Sequence, residues 1–411
     1  MSDLPASFPW IEKLISFPSV SATSNKALLD AVATEFTQRG FEPFYTYSDD
    51  GERANMFVTL PAADGSTDGG IVLSGHTDVV PVTGQAWDSD PFTATVKDGK
   101  IFGRGVSDMK SYLACALEAL PRFAQARLTR PVHFAFTYDE ELGCFGAPRM
   151  IEEFQARGIH PEFAVVGEPT SMQVIAAHKG AHRGRATFHG IAKHGSLAPH
   201  GVNASAGAAE FVVFLEELAD RWLEEGPFDE GFASPTTTIG GNVIRGGLNH
   251  NIVGEDAVVE YDFRTIPQVS TEEVVELVEK ELFEVILPRL QGRAARAEQL
   301  SGAEPGSLQQ QIVVTHELLA RVPTLGNEAG DAVLTLGAEL TGHADQQDAP
   351  LIKVTYGTEA GQYHNAGIPA VVIGPGDIAQ AHTANEWVEI SQIEQCEQFM
   401  QRVLDWATQA I

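Results

Sequence analysis

The sequence predicts an α/β fold: a large domain on a mixed, mainly parallel sheet, interrupted by a smaller α+β insertion. Three observations predict it. The chain has 411 residues, more than one compact core usually holds, so two domains are expected. Over the first third, short apolar runs alternate with helical patterns, the order that builds a parallel sheet covered on both faces. From about residue 180 the texture changes to a polar, Gly- and His-rich stretch, KGAHRGRATFHGIAKHGSLAPHGVNA.

Residues 26–39 (KALLDAVATEFTQR) carry apolar positions at helical spacing, and Gly40 follows as a stop. Apolar runs at 55–60, 71–75 (IVLSG) and 132–137 (VHFAFT) read as strands, with an Ala- and Leu-rich helix over 111–126 between the last two. A helix over 147–157 precedes a strand at 163–166 (FAVV). The insertion then opens with an alternating strand at 184–191 and a long helix over 204–223. Strands at 236–244 and 256–264 and a helix over 271–289 follow. That strand–helix–strand–strand–helix order fits a small ferredoxin-like unit. Beyond 295 a loop-rich stretch leads to strands at 351–355 and 370–373 (AVVI) and a helix from Ser391. The expected large domain is therefore 1–180 with 295–411, and the insertion is 181–294.

Composition narrows the function. Hydrophobic residues make up 43% and charged residues 20%, ordinary for a globular protein. The 27 basic and 56 acidic residues leave a net charge of −29. That balance argues against nucleic acid as a partner, because its binding rests on cations meeting phosphates, and against an anionic membrane surface. It favours cationic metals and substrates. Cys115, Cys144 and Cys396 form neither a disulfide framework nor a CxxC site. No secretory signal is read in residues 1–9, and no run approaches the roughly 20 apolar residues of a membrane helix. A cytosolic protein is expected.

Five segments carry candidate chemistry, four of them at strand termini, where open α/β sheets build their sites. In Ser74-Gly75-His76-Thr77-Asp78, His76 and Asp78 share one face of an extended segment, so Asp78 is a candidate to orient the His76 ring. Gly103-Arg104-Gly105-Val106-Ser107-Asp108-Met109-Lys110 surrounds one Asp with glycines but lacks phosphate-loop spacing. Alone, Asp108 reads equally as a helix N-cap. Tyr138-Asp139-Glu140-Glu141-Leu142-Gly143 places three carboxylates at the end of a buried strand, a costly arrangement unless a cation neutralises them. Gly167-Glu168-Pro169-Thr170 follows another apolar run, and His382 stands late in the chain in Gly374-Pro375-Gly376-Asp377-Ile378-Ala379-Gln380-Ala381-His382-Thr383. Singly, each has an ordinary structural explanation. Together, two His and three carboxylates match the donors of zinc and related divalent metals. Five ligands over-coordinate one catalytic metal, whereas two metals sharing a carboxylate have three each.

In this order the motifs GHTD, GRGVSDMK, DEELG, GEPT and AH resemble the family of co-catalytic zinc aminoacylases and carboxypeptidases that includes succinyl-diaminopimelate desuccinylase and acetylornithine deacetylase. The resemblance spans nearly the whole chain. It implies a zinc-peptidase-like large domain, with the insertion as a lid through which a homodimer forms. Asp108 would bridge two Zn2+ ions, with Co2+ as a substitute. His76 and Glu168 would complete one site, and Glu141 and His382 the other. Glu140 would be the general base, with Asp78 behind it, and a cis peptide is expected at Asp108–Met109. AHKG (177–180), GVNA (201–204), GTEA (357–360) and GPGDIAQAHTANEWV (374–388) are most similar to the acetylornithine deacetylase subgroup. The implied substrate is a small N-acyl amino acid.

The same resemblance implies that His194 serves the neighbouring subunit's site by stabilising the oxyanion, although this chain has His194-Gly195-Ser196 where the subgroup usually has His-Ser-Ser. Arg264 is a candidate partner for an α-carboxylate, with Asn251 nearby. Glu359 reads either as acceptor for a substrate ammonium or as a helix N-cap or core group. Of the remaining histidines, His133 is expected in the core and His160, His316 and His343 at the surface. His178 and His200 flank the junction with the insertion.

Overall fold

The computed structural model describes residues 4–343 and 349–410. Two units make up the chain, Met1–His178 with Thr324–Ile411, and Lys179–Pro323. Among the described residues no helix is long and apolar enough to cross a membrane.

The first unit supplies β1 (Phe44–Tyr47), β2 (Ala54–Leu60), β3 (Ile71–His76), β4 (Thr95–Lys97), β5 (Lys100–Phe102), β6 (Val132–Thr137), β7 (Phe163–Val166) and β8 (Ile175–His178). The second supplies β9 (Ala181–His189), β10 (Thr238–Gly246), β11 (Asp256–Arg264) and β12 (Val313–Val322). The chain then returns to the first unit with β13 (Leu325–Gly326), β14 (Ile352–Val354), β15 (Ala370–Val372) and β16 (Trp387–Glu389).

The large sheet runs β1-β2-β6-β3-β7-β15-β8-β13, with β14 also on β8. Its centre, β6-β3-β7-β15, is parallel. Around that centre, β1, β2 and β13 pair antiparallel, as does β15 with β8. The sheet is mixed, and the expected parallel character belongs to its middle. The reason lies in burial: β3 and β6 are buried at every residue, as strands covered on both faces must be. Successive residues serve opposite layers. Ile71 and Leu73 join a core with Phe36, Tyr112 and Phe399, whereas Val72 joins a second core with Phe57, Phe154 and Tyr363. Parallel register sets the strand ends side by side, with His76 opposite Thr137 and Ser74 opposite Val166. The loops after β3, β6 and β7 therefore emerge at one edge.

The second unit has strand order β10-β11-β9-β12, all antiparallel. With helices at Ala204–Glu225 and after β11, this is the ferredoxin-like βαββαβ arrangement. Alternate residues of β9 and β11 are buried, and Phe188 and Tyr261 meet Phe211 of the first helix at ring separations of 6.2 and 5.7 Å. The expected boundary at 294 falls inside a helix. The helical run from Thr271 passes through a wider turn at Glu281–Ile286, ahead of Pro288, and continues to Ser301. Beyond it, where loop was expected, β12 completes the sheet. A register shift between Leu318 and Ala320 breaks the period-2 pattern that would have marked the strand. His316 on this strand, expected at the surface, has a buried ring between the Tyr261 hydroxyl (2.7 Å) and Glu279 (3.0 Å). His133 is in the core as expected.

Candidate metal centre

Five segments carry the candidate ligands: the end of β3, the turn after β5, and the loops after β6, β7 and β15. β3 ends on His76, which is fully buried. Its Nδ1 lies 2.9 Å from the Asp78 carbonyl oxygen. That acceptor draws the ring proton to Nδ1 and leaves the Nε2 lone pair for a ligand role. Asp108 follows the left-handed Gly105 (φ 81°), where a Cβ would sit 2.6 Å from Val79 Cγ1. A glycine is required there. The Asp108–Met109 peptide is cis. Glu168 follows Gly167, where a Cβ would fall 2.0 Å from the Tyr112 ring. His382 adopts a left-handed φ of 60° in the loop after β15 and is half-exposed.

These side chains converge as two trios. His76 Nε2 is 2.9 Å from Asp108 Oδ1 and 3.7 Å from Glu168 Oε1. His382 Nε2 is 3.1 Å from Asp108 Oδ2 and 2.9 Å from Glu141 Oε2. Asp108 thus offers one oxygen to each trio, and within each trio the donor atoms lie within 4.8 Å of one another. Glu168 Oε1 is buried with no hydrogen-bond partner, an arrangement that calls for a cation. The imidazole and carboxylate donors suit divalent zinc-like metals.

The electrostatics point the same way. Burial alone would depress the His76 imidazole, but Glu168 and Asp108 hold it well above its ordinary range. Hydrogen bonds to Asp108 and Glu141 push His382 up to about 10. Burial would raise Asp108, but the two imidazoles hold it well below the usual carboxylate range. Burial, then the neighbouring Asp108 charge, pushes Glu141 up to about 7 and Glu168 well up. Without a metal, protons on histidine and glutamate offset the crowded negative charge.

The three consecutive carboxylates diverge. Asp139, at φ 52°, accepts from the Ala22 N–H at 2.8 Å and pairs with Arg53. Glu140 Oε1 accepts from the Cys144 thiol at 3.3 Å. Glu141 reaches His382. Asp78 faces both His76 and Glu140, with its Oδ1 3.6 Å from the His76 Nδ1. Its backbone carbonyl holds His76, while its carboxylate accepts from the Glu140 N–H at 3.1 Å and the Ser21 hydroxyl at 2.7 Å. Arg53, Ser21, Cys144 and Glu386 did not stand out in the sequence. Cys144 lies beside a quoted motif and Glu386 within one, and no spacing rule marks the others.

The model of peptidase family M20/M25/M40 matches residues 72–406. The chain belongs to this family. An acetylornithine deacetylase from Proteus mirabilis (strain HI4320) is 32% identical over 98% of this chain and 97% of that protein. The M20 metallo-carboxypeptidase Sso-CP2 from Sulfolobus solfataricus shares the fold with a TM-score of 0.68 at 16% identity, covering 98% of this chain and all of that one. YXEP from Bacillus subtilis, described as a dinuclear metal binding peptidase from the M20 family, aligns with a TM-score of 0.59 at 12% identity, covering 98% and 97%. Membership in the M20/M25/M40 family makes the chain a metal-dependent hydrolase.

The other predicted residues of this M20 chain fall elsewhere. His194, Asn251 and Arg264 belong to the second unit. His194 Nδ1 lies 3.3 Å from the Ser196 backbone nitrogen, which donates to it, and 2.8 Å from the Ser196 hydroxyl. That leaves Nε2 as the protonated, exposed nitrogen. Gly195 donates to the Asn251 carbonyl at 2.7 Å, and a Cβ on Gly195 would approach that oxygen to 3.2 Å. Arg264 is held by Asp262, through Nε at 2.9 Å and Nη2 at 3.0 Å. Glu359, in the first unit, stands at the start of the helix Ala360–Asn365 without capping it through its side chain. It is fully buried, and its charge acts on the neighbouring Glu140.

Proposed function

We propose that the chain hydrolyses the acetyl–amine bond of N-acetylornithine or a closely related N-acyl amino acid, using two divalent metal ions. One observation carries the two-metal reading: Asp108 turns one carboxylate oxygen to each histidine-containing trio. His76, Asp108 and Glu168 would hold one ion, and Asp108, Glu141 and His382 the other, with zinc favoured and cobalt a substitute by donor type. The near full-length similarity to an acetylornithine deacetylase supports the substrate class. Bound metal supplies Lewis-acid chemistry, polarising a carbonyl and making water acidic.

The chain's own residues do the rest. Glu140 takes a proton from the attacking water and returns it to the leaving amine nitrogen. Burial, only partly offset by His76 and reinforced by Glu141 and Asp108, pushes its carboxyl well up, which suits a group that must hold a proton between two steps. Asp78 positions it through the Glu140 N–H. His194, with its proton on Nε2, donates to the developing oxyanion in a homodimer formed through the second unit. Asp262 occupies one edge of the Arg264 guanidinium, so the remaining edge can take a substrate carboxylate bidentately, with Asn251 adding a polar contact.

The test is a panel of N-acetylornithine, N-acetylmethionine, succinyl-diaminopimelate and dipeptides with metal-loaded protein. The highest kcat/KM is expected for N-acetylornithine. A higher value for succinyl-diaminopimelate or a dipeptide overturns the substrate reading.

A further inference from the structure

Behind the metal centre runs a chain of hydrogen bonds outside the ligand set. Glu386, four residues beyond His382, is fully buried. Its carboxylate accepts from Arg104 Nη1 at 2.7 Å and from the backbone N–H groups of Gly105 (3.0 Å), Ser107 (2.8 Å) and Asp108 (3.1 Å). One side chain thus grips the whole turn that presents Asp108. Arg104, itself buried, spends a second nitrogen on Gln85 Oε1 at 2.5 Å, and Trp87 Nε1 donates to the same oxygen at 3.1 Å. Gln85 Nε2 donates to the His382 carbonyl at 2.8 Å. Three residues on, the Asp88 N–H donates to Asn385 Oδ1 at 2.8 Å, and Asn385 Nδ2 donates to Asp88 Oδ2 at 3.2 Å.

The two residues that this segment holds are also the left-handed ones in the loop. His382 has φ 60° and Asn385 φ 58°, conformations that non-glycine residues keep only where the surroundings hold them. His382 is also half-exposed, so packing alone does not hold its ring. His76 and Glu168, by contrast, are buried at strand ends, and among the described residues the hydrogen bonds of the Gln85 side chain go to His382, Trp87 and Arg104.

We infer that Gln85 is a positioning residue for the second metal ion. With Asp88, Arg104 and Glu386 it braces the His382 loop, fixing where the imidazole stands relative to Asp108 and Glu141. This rests on the two-metal reading above. Outer partners of metal ligands typically set affinity by about 10–100-fold, and the Gln85 Nε2 contact, which reaches only the His382 carbonyl, acts on one trio.

The test is Gln85→Glu, which keeps the oxygen that accepts from Arg104 and Trp87 but removes the donor to the His382 carbonyl. Zn2+ affinities are read by competition with a chelator. The site affected is identified by comparing Co2+ absorption with that of His382→Ala, which retains only the first trio. The expected result is one ion bound as in the unaltered chain and the other weakened about 10–100-fold, with the His382→Ala spectrum recovered at low Co2+. Two ions bound as before, or both weakened equally, overturn the brace. An unaltered chain that takes fewer than two ions overturns the two-metal reading and the inference with it. Asp88→Ala, an exposed change in the same segment, decides the matter if Gln85→Glu fails to fold. It should weaken the same ion, and unchanged affinity there overturns the inference.

Discussion

Asp139, Glu140 and Glu141 follow one another after β6, and each carboxylate meets a different partner: Arg53, the Cys144 thiol and the His382 imidazole. Adjacent side chains diverge, so in the proposed mechanism one turn supplies a structural ion pair, a proton carrier and a metal ligand. The sequence marks the run as unusual but does not say which residue does which, because that depends on what each side chain meets across the fold. Asp78 shows the same limit. Alternation puts it on the face of His76, and its carboxylate stands 3.6 Å from that ring. Only the fold shows that the same carboxylate accepts from the Glu140 N–H while the backbone carbonyl makes the shorter contact to the ring. If Glu140 carries the proton, Glu140→Gln should leave both metals bound, as counted by elemental analysis, and lower kcat by about 10²–10⁴-fold. Activity near that of the unaltered chain would place the base elsewhere.

The elements that hold these residues depend on close backbone packing at a few glycines. Gly167 immediately precedes Glu168, and a Cβ there would lie 2.0 Å from the Tyr112 ring, which is fully buried. At Gly374 a Cβ would lie 2.1 Å from the Gly167 carbonyl oxygen, so the loops carrying Glu168 and His382 begin from a direct backbone approach. Gly167→Ala has no flexible neighbour to displace. It should destabilise the metal-free protein by about 1–3 kcal/mol, read as a lower melting temperature in chelator. An unchanged melting temperature would mean that the Tyr112 ring can move aside. Strand ends with such glycines were visible in the sequence, since Gly75, Gly167 and Gly374 stand in the quoted motifs. The partner of each glycine was not.

Over the whole molecule the net charge is −29, and at the buried centre, too, carboxylates outnumber imidazoles. Burial pushes Glu141 and Glu359 up to about 7 from 4.5. Between those values the metal-free folded state keeps protons that the unfolded chain has lost, so stability falls as pH rises. His382, raised from 6.5 to about 10 by Asp108 and Glu141, adds a contribution present below 6.5 and lost as pH rises toward 10. Both act in one direction. Metal binding, which needs deprotonated ligands, runs the other way. The melting temperature of chelator-treated protein should therefore fall between about pH 5 and about pH 8, while the gap to metal-loaded protein widens. A gap independent of pH would mean that the cluster does not carry this charge. Sequence alone determined the donor types, their positions at the ends of apolar runs and the division into a large sheet and an insertion. Local periodicity and turn chemistry encode burial and strand ends. Tertiary structure alone decided that β12 closes the insertion's sheet, that Asp108 splits its two oxygens, that Glu359 is sealed from solvent and that Gln85 reaches His382. Contacts such as the last, spanning 297 residues, exist only once distant segments pack together, and no local pattern records them.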